Sequence, residues 1–293
     1  MLTLFAIPKP FRGHNGVIQT NAIRSWLCLR PPCEIMLFGN EEGTAEVATK
    51  FGLRHVPDIA CNEYGTPLVS SLFSSAQQLA RHDILGYVNA DIILTSDFLP
   101  SISLVPHKSF LLVGQRWDID VKESIDFNAP DWEAGLRARV TREGKLHPVT
   151  GIDYFVFSRG LYDDMPPLAI GRGGWDNWLV YRARGLKVPV IDATKAITAI
   201  HQNHDYSHHP SGADGVWKGP EMKRNTELMG GIDHSFTLEY ATLLLTPQGF
   251  KSAITPRHIY FRLRAIPVLH PRLHFLLTPL NVLQKLLRIV RRL

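Results

Sequence analysis

The chain has 293 residues, of which 45% are hydrophobic and 20% charged, as in ordinary globular proteins. This composition excludes a disordered, collagen-like or fibrous chain. The formal net charge is +5, but Glu239 is the last acidic residue and nine basic residues follow position 250. Residues 1–250 therefore carry 23 basic and 27 acidic side chains, a balance of −4. Because the basic charge lies in residues 251–293, we expect a local anionic partner and no nucleic acid bound across the body.

The cysteines and the N-terminal segment indicate the compartment. Cys28, Cys33 and Cys61 are an odd number of thiols with no CxxC pair, so we expect neither a disulfide framework nor a zinc finger. The first eleven residues lack a basic segment before their apolar run, and no uncharged apolar stretch reaches the ~18 residues of a membrane-spanning helix. These features predict a cytoplasmic protein.

Short apolar runs alternate with helix-spaced patterns along the chain. Strands are predicted at 2–7, 34–38, 54–56, 84–88, 110–114 and 154–157. Residues 187–191 and 196–200 are predicted to form two short strands or one broken strand. Helices are predicted at 15–29, 41–52, 67–81 and 175–185. The alternation over the first 90 residues is typical of βαβ units and a mostly parallel sheet. In such sheets ligands bind beyond the carboxyl ends of the strands.

An Asn-Ala-Asp triplet, residues 89–91, follows the predicted strand 84–88. Asp91 places a carboxylate at the end of a buried strand, where it can hold a hard divalent cation and thereby a diphosphate. The alternative is a turn cap, which Asn and Asp commonly provide after strands.

A Gly-rich loop opens the predicted helix 175–185, whose first turn carries Asp176. Glycines permit close backbone approach to a ligand, and a helix N-terminus stabilises an ionised carboxylate, which can act as a general base. Trp175 and Trp178 beside this acid favour a platform for a sugar or another ring. The alternative is that Asp176 is only the cap of the helix.

Four histidines lie within nine residues after the predicted strand 196–200: His201, His204, His208 and His209. Neutral imidazole is a common metal ligand, so this group can contribute to a metal site. The alternative is ordinary surface or core histidines, since hard cations prefer oxygen.

Taken in this order, these segments resemble the GT-A class of nucleotide-sugar glycosyltransferases, of the family 2 type, over roughly residues 1–210. The matching segments are the N-terminal βαβ pattern, Gly65-Thr-Pro67, the run 80–91, Gly174-Trp-Asp-Asn-Trp178 and Ala199-Ile-His201. The resemblance implies an α/β, GT-A-like fold with a Rossmann-type, mostly parallel central sheet and helices on both faces.

The resemblance also implies a metal site. In that class an Asp-x-Asp motif at a strand end binds the metal and the diphosphate of the sugar nucleotide. Residues 89–91 match it with a neutral Asn89 in the first position, so Asp91 would hold Mn²⁺ or Mg²⁺, with His201 as the next ligand and His204 as the second choice.

Further site residues follow from the same resemblance. Asp176 would be the catalytic base if the reaction inverts configuration, and would orient the sugar or the acceptor if it retains configuration. The expected nucleotide-sugar-binding residues are Pro8, Asn40, Asn89, Asp91 and Trp175.

The implied reaction moves a sugar from a nucleoside-diphosphate sugar, with a UDP-sugar favoured, to a hydroxyl of a glycan or lipid-linked acceptor in polysaccharide biosynthesis. One alternative is a sugar-phosphate nucleotidyltransferase, although residues 8–13 do not match the Gly-rich, Arg-containing loop of those enzymes. The other is a non-catalytic, membrane-docked sugar-nucleotide-binding protein, which the neutral Asn89 keeps open.

The last segment of the chain is predicted to form an amphipathic helix over residues 280–293. At about 100° per residue its apolar positions fall on one side, and Lys285, Arg288, Arg291 and Arg292 fall on the other. A helix lying on an anionic bilayer has this pattern. The alternative is a helix packed on the body with its basic face in water. We therefore predict an anionic membrane surface as the partner of residues 280–293, with the protein peripherally associated with the inner face of the membrane.

The sequence thus divides into four parts. Residues 1–105 are the predicted nucleotide-sugar-binding half, and residues 106–210 the acceptor-binding half of the same α/β domain. Residues 211–250 are a loop-rich or helical segment, and residues 251–293 a basic amphipathic tail.

Overall fold

The computed structural model describes residues 1–204, 218–280 and 282. Its strands are β1 Leu2–Ala6, β2 Glu34–Phe38, β3 Arg54–Val56, β4 Ile84–Val88, β5 Ile92–Leu94, β6 Leu111–Val113, β7 Arg116–Ile119, β8 Lys145–Leu146, β9 Tyr154–Ser158, β10 Val190–Asp192, β11 Ala199–Gln202, β12 Leu243–Thr246 and β13 Gly249–Ser252. Its α-helices are α1 Gly13–Leu27, α2 Thr44–Phe51, α3 Val69–Leu79, α4 Phe98–Ser103, α5 Trp132–Glu143, α6 Trp175–Gly185, α7 Pro220–Leu228 and α8 Pro256–Leu269. Short 3₁₀ helices lie at Ile232–His234, Leu238–Tyr240 and Pro271–Leu276.

A large sheet forms the centre of the described chain, with the strand order β13-β12-β10-β6-β9-β4-β1-β2-β3. Its strands run in the same direction except β9 and β13, which are antiparallel to their neighbours. Strands β1, β6 and β9 are buried along their whole length, as expected for strands covered on both faces. The mostly parallel α/β sheet predicted from the sequence is confirmed.

Two apolar cores cover the two faces of this sheet. Phe5 of β1 points to one face, where its ring lies 5.2 Å from that of Phe73 on α3. Leu4 points to the other face and packs in the same core as Trp26 of α1. Successive side chains of a strand point to opposite faces, so each apolar run supplies both cores. The prediction of helices on both faces is therefore also confirmed.

A second sheet, of order β5-β11-β7-β8, lies next to the first. Strand β5 pairs antiparallel with β11, and β11 pairs parallel with β7. A small core that includes Ile93, Ile200 and Leu136 of α5 supports this sheet. The second sheet positions several polar side chains of the candidate site.

The sequence pattern located many elements but missed others. The predicted strands 34–38, 54–56 and 84–88 and the predicted helix 175–185 have the observed bounds. The pattern did not identify α4, α5, β5, β7 or β8. Helix α5 buries only Leu136 and Val140, so it shows little apolar periodicity.

Residues 218–280 are more ordered than the pattern indicated. The predicted loop-rich segment contains α7 and contributes β12, which pairs parallel with β10 and antiparallel with β13. Helix α8 buries Ala265 and Val268 in the core on the α6 side of the sheet. Part of the predicted basic tail is thus packed on the body.

The structure bears on only part of the membrane predictions. Among the helices that the structure describes, none combines the length and apolar content needed to cross a bilayer. The predicted tail helix 280–293 lies outside the described residues except for positions 280 and 282.

Candidate active site

The candidate site lies where the order of the central sheet reverses. From β1 the chain continues outward through β2 and β3, and β4 returns to pair with the other side of β1. Both strands are parallel, so Lys9 after β1 and Asn89 and Asp91 after β4 come to the same edge. Ligands of open α/β sheets bind at such switch points.

Strand pairing in the second sheet brings further polar groups to this edge. His201 on β11 is in register with Ile92 of β5 on one side and with Asp118 of β7 on the other. Asp91 immediately precedes Ile92, and its backbone carbonyl accepts a hydrogen bond from the Gln202 side chain at 3.1 Å. His201 is thereby held between the carboxylates of Asp91 and Asp118.

Asp91, His201 and His204 form a compact cluster whose ligand atoms all lie within 4.8 Å of one another. Nε2 of His204 is 3.1 Å and Nε2 of His201 is 4.0 Å from Oδ2 of Asp91. The three side chains are between 10% and 13% exposed. Lys9 lies beside them, with Nζ 3.3 Å from Nε2 of His204. Of the four histidines singled out in the sequence, His208 and His209 lie outside the described residues.

The electrostatic surroundings of Asp91 favour its ionised form. Burial raises the pKa of the carboxyl, but the hydrogen bond with His204 and the positive charges of His201 and Lys9 outweigh burial and hold the pKa well below its usual range. Oδ1 of Asp91 is buried and has no hydrogen-bond partner among the described residues. A buried, ionised oxygen without a partner is an available ligand atom.

Asp118 lies behind His201. Its Oδ1 is 3.2 Å from Nδ1 of His201, and its Oδ2 is 2.6 Å from Nδ1 of His147. Arg116 donates a hydrogen bond from Nε to Oδ1 of Asp118 at 2.9 Å. Burial raises the pKa of Asp118, but these partners outweigh it and keep the pKa well below the usual range. A carboxylate behind a histidine fixes the orientation of the ring, as in many metal sites.

Asp153, which precedes β9, joins this network to Asn89. Arg116 also contacts Oδ2 of Asp153, while Nδ2 of Asn89 donates a hydrogen bond to Oδ1 of Asp153 at 2.5 Å. The Tyr87 hydroxyl donates to Oδ1 of Asn89 at 2.9 Å. Burial, together with the charges of Asp91, Asp153 and Asp176, raises the pKa of Tyr87. The hydroxyl therefore remains protonated and can donate this hydrogen bond.

Asp176 lies in the first turn of α6, as predicted. Gly174, the N-cap, has a φ of 95°, and a Cβ there would lie 2.8 Å from Cε of Met229. Glycine is therefore required where the loop enters the helix. Burial and the charge of Asp153 raise the pKa of Asp176 to about 7, although hydrogen bonds from nearby backbone amides oppose the shift.

The Gly-rich loop before α6 is fixed by an ion pair. Arg172 lies 2.7 Å from Oε2 of Glu221 on α7, and both side chains are largely buried. Asn62 donates a further hydrogen bond to Glu221 at 2.7 Å. The loop that positions Asp176 is thus tied both to α7 and to the loop before α3.

The remaining predicted nucleotide-sugar residues have different surroundings. Pro8 is buried next to Lys9, and Asn40 is exposed in the turn after β2. Trp175 is only 6% exposed, and its ring packs edge-on against Tyr87 at 5.3 Å. Trp178 is equally buried. The apolar core takes up both indoles, and Trp175 as a nucleotide-sugar-binding residue stays a prediction.

The cluster fits a divalent cation. The available Oδ1 of Asp91 and the two imidazoles form a mixed oxygen and nitrogen set. Mg²⁺ prefers oxygen ligands in nearly octahedral geometry, whereas imidazole suits transition metals. Of the two predicted ions, Mn²⁺ would fit this mixed oxygen and nitrogen set better.

Sequence reasoning did not assign Lys9, Arg116, Asp118, His147 or Asp153. Lys9 stands in the Pro-Lys-Pro segment after the first strand, and Asp153 directly precedes the apolar run of β9. A search for charged residues at predicted strand ends would have found these two. The other three lie on or next to β7 and β8, which the apolar pattern did not reveal.

Comparison with known proteins gave matches only to solved structures. No protein-family model matches the chain, and no curated protein matches it. One similar structure is glucosyl-3-phosphoglycerate synthase from Mycobacterium tuberculosis in complex with Mn²⁺, UDP and glucosyl-3-phosphoglycerate. It shows 15% identity over 79% of this chain and 80% of that chain, with a TM-score of 0.46.

Two further matches have similar values. The same synthase in complex with phosphoglyceric acid shows 13% identity over 80% of both chains, with a TM-score of 0.47. TarS residues 1–349 from S. aureus in complex with UDP-GlcNAc show 13% identity over 70% of this chain and 60% of that chain, with a TM-score of 0.46. Both proteins are GT-A-type glycosyltransferases, the class that the sequence resembles. At this identity the match describes the chain path and no more.

Proposed function

We propose that the protein is a metal-assisted glycosyltransferase that moves a sugar from a nucleoside-diphosphate sugar to a hydroxyl of a glycan or lipid-linked acceptor. The observation that carries the proposal is the convergence of Asp91, His201, His204 and Lys9 at the switch point of the sheet. This arrangement offers ligands for a cation and a positive side chain, which together suit a diphosphate.

The metal site has a defined role in this proposal. Asp91, His201 and His204 would hold Mn²⁺, or Mg²⁺ with fewer nitrogen ligands. When bound, the cation neutralises negative charge on the diphosphate leaving group. Asp118 keeps His201 in place, and Lys9 adds a positive charge on the side of β1. Asn89 orients Asp153 through its hydrogen bond and is not one of the proposed metal ligands.

Asp176 is the proposed catalytic base. With a pKa raised to about 7, its carboxylate is both substantially populated and basic enough to accept a proton from a hydroxyl near neutral pH. It lies in the first turn of α6, directly after the Gly-rich loop, whose glycines permit close backbone approach to a ligand. In an inverting reaction the acceptor oxygen would attack the anomeric carbon as its proton passes to Asp176.

The proposal also names the classes of donor and acceptor. We favour a UDP-sugar as donor and place Pro8 and Asn40, at the ends of β1 and β2, near the nucleoside. A lipid-linked or growing glycan as acceptor agrees with peripheral association of the basic C-terminal segment with the inner face of a membrane. Polysaccharide biosynthesis is the corresponding process.

The test measures thermal unfolding of the purified chain with UDP, GDP, CDP or dTDP, each with and without Mn²⁺ or Mg²⁺. A ligand that binds the folded state raises its stability by about 2.7 kcal/mol at one hundred times its dissociation constant. We expect the largest shift for UDP with Mn²⁺ and its loss in Asp91→Ala. Asp83→Ala, at an exposed position before β4, is the control.

A second measurement separates the enzyme from a binding protein. The glycosyltransferase should hydrolyse its sugar nucleotide slowly in a metal-dependent manner, with water in place of the acceptor. Nucleotide binding without hydrolysis or transfer would favour the non-catalytic alternative. A folded protein that shows no shift with any nucleotide would contradict the proposal.

A further inference from the structure

A basic cavity of about 290 Å³ lies between the end of α6 and α8, at the opposite end of α6 from Asp176. Four of the residues that line it are Arg184, Lys187, Arg262 and His270. No acidic residue of the described chain lines it. The cavity therefore concentrates positive charge without an internal counterion.

Two arginines that line the cavity have hydrogen-bond donors without acceptors in the described part of the chain. Nε of Arg184 and Nε of Arg262 are both buried and lack hydrogen-bond partners among the described residues. Burial and the neighbouring charge of Arg262 lower the pKa of Arg184. A phosphate group would supply the missing acceptors, because guanidinium groups bind phosphate through paired hydrogen bonds.

Lys187 is held in an unfavourable backbone conformation. Its φ is 59°, in the left-handed region, where it ends α6 through hydrogen bonds from its own amide to the Arg184 carbonyl and from Val188 to Ala183. Glycine is the usual residue at this position, because the left-handed conformation is strained for other residues. The sequence pattern placed the stop at Gly185, which the structure shows to be the last helical residue.

The helix dipole explains the position of only some of the cations in the cavity. Cations in the last turn of a helix interact favourably with its dipole, which explains the position of Arg184. Arg262 lies in the middle of α8, however, and Lys187 follows the end of α6. The helix dipole alone therefore does not explain why these side chains share a cavity.

An exposed apolar stripe borders the cavity. Ile259, Leu263 and Ile266 of α8 are 48%, 49% and 41% exposed, and their spacing places them on one face of the helix. Ile266 also lines the cavity. Phe275, in the next turn, is 69% exposed. Residues 251–282 contain five Lys or Arg and no acid.

We propose that this cavity binds the phosphate of an anionic phospholipid headgroup while the stripe of Ile259, Leu263 and Ile266 enters the lipid surface. A phospholipid joins a phosphate to acyl chains, which matches a basic cavity next to an exposed apolar stripe. The segment keeps a net positive charge after Arg257 and Arg264 pair with Glu239 and Asp233, and this charge matches an anionic bilayer. The proposal deepens the membrane association in the proposed function and does not depend on glycosyl transfer.

Vesicle binding of the full chain tests the proposal. Partitioning is measured by co-sedimentation with phosphatidylcholine vesicles, with and without phosphatidylglycerol. We expect binding to require phosphatidylglycerol, and expect Lys187→Gly and Arg184→Gln each to weaken it about fivefold or more, the equivalent of one lost cation. Leu263→Gln should also weaken binding, because it removes apolar area from the stripe.

The variants separate lost binding from lost folding. Lys187→Gly relaxes a left-handed backbone, so its thermal stability should equal or exceed that of the wild type. Lys122→Gly removes an exposed lysine from the loop after β7 and is the matched control. Equal vesicle binding by the wild type, Lys187→Gly and Arg184→Gln would overturn the proposal.

Two further measurements identify the source of the phosphate and test whether vesicle binding is independent of the candidate active site. In the first, inorganic phosphate is added to the wild type and to Arg184→Gln and thermal stability is measured. If phosphate stabilises only the wild type, and the variants bind vesicles as the wild type does, the cavity binds a soluble phosphate and the lipid assignment is overturned. Asp91→Ala should keep full vesicle binding. If nucleotides fail to bind while cavity-dependent vesicle binding persists, only the proposed function fails.

Discussion

Asn89 donates a hydrogen bond from its side-chain amide to the carboxylate of Asp153 at 2.5 Å. The neutral residue in the first position of the Asn-Ala-Asp triplet therefore has a structural partner. Asp153 also contacts Arg116, which hydrogen-bonds to Asp118 beside His201. The amide thus begins a chain of polar contacts that ends at the candidate metal cluster.

This relationship predicts the effect of Asn89→Asp. The new carboxylate would face Asp153 with no proton to donate, so we expect a loss of about 1–3 kcal/mol of unfolding free energy at neutral pH. Urea unfolding measures the loss. Asn40→Asp, at the exposed turn after β2, is the matched control and should change stability little. Tighter Mn²⁺ binding by Asn89→Asp, without loss of stability, would show that position 89 is a metal-ligand position.

Asp176→Asn should strongly slow transfer while preserving donor binding. Loss of a positioned base typically lowers the rate by about 10²–10⁴-fold, whereas the nucleotide-dependent thermal shift should persist. Asp164→Asn removes a highly exposed carboxylate that pairs with Arg182 of α6, and should leave the rate unchanged. Near-normal transfer by Asp176→Asn would remove Asp176 from the role of base.

The raised pKa of Asp176 also predicts a pH profile. Only the deprotonated carboxylate accepts a proton, so the rate should rise with pH through about 7 and then level off. The profile is measured under saturating donor and acceptor. A rate that stays constant from about pH 6 to 8 in the wild type would contradict the assignment, since the carboxylate population changes most in this interval.

Stability should depend on the same titration with the opposite sign. The folded-state pKa of Asp176 lies above the ordinary value of 3.8, so its contribution to stability is complete below that value and is lost as pH rises through about 7. Asp176→Asn removes this loss. We therefore expect the variant to gain stability relative to the wild type as the pH of urea unfolding is raised from about 5 to 8. A difference that does not vary with pH would show that burial does not perturb this carboxyl.

Asp118→Asn tests the support behind His201. Residues that orient a metal-bound histidine typically contribute about 10–100-fold to metal affinity. We expect Mn²⁺ titration, followed by the thermal shift, to show a loss in this range. Asp83→Asn, at an exposed carboxylate, is the control. Unchanged Mn²⁺ affinity would show that Asp118 does not position the ring.

Gly114, between β6 and β7, tests the packing that leads to Arg116. A Cβ at this position would overlap the Tyr154 hydroxyl and lie 3.1 Å from the Thr194 amide nitrogen. Gly114→Ala should lower the unfolding free energy by about 1–3 kcal/mol. The Tyr154 hydroxyl is buried with no partner among the described residues, so Tyr154→Phe should be tolerated and should recover part of the loss in the double variant. Additive losses in urea unfolding would contradict the overlap.

The sequence by itself determined the local elements with strong apolar patterns. It also indicated the residues of the candidate metal cluster. Strands β2 and β4 and helix α6 had the predicted bounds, because buried strands and amphipathic helices impose their periods on the sequence. Asp91, His201 and Asp176 stood out because polar residues directly after strands or at helix starts interrupt these patterns.

Only the tertiary structure decided which polar groups meet. The pairing of His201 with Ile92 and Asp118 depends on strands separated by more than 80 residues, and local periodicity carries no information about such register. The same holds for the contact of Asn89 with Asp153 and for the cavity between α6 and α8. Trp175 illustrates the same limit. Its sequence neighbours indicated a ligand platform, whereas in the structure it packs against Tyr87 in the core.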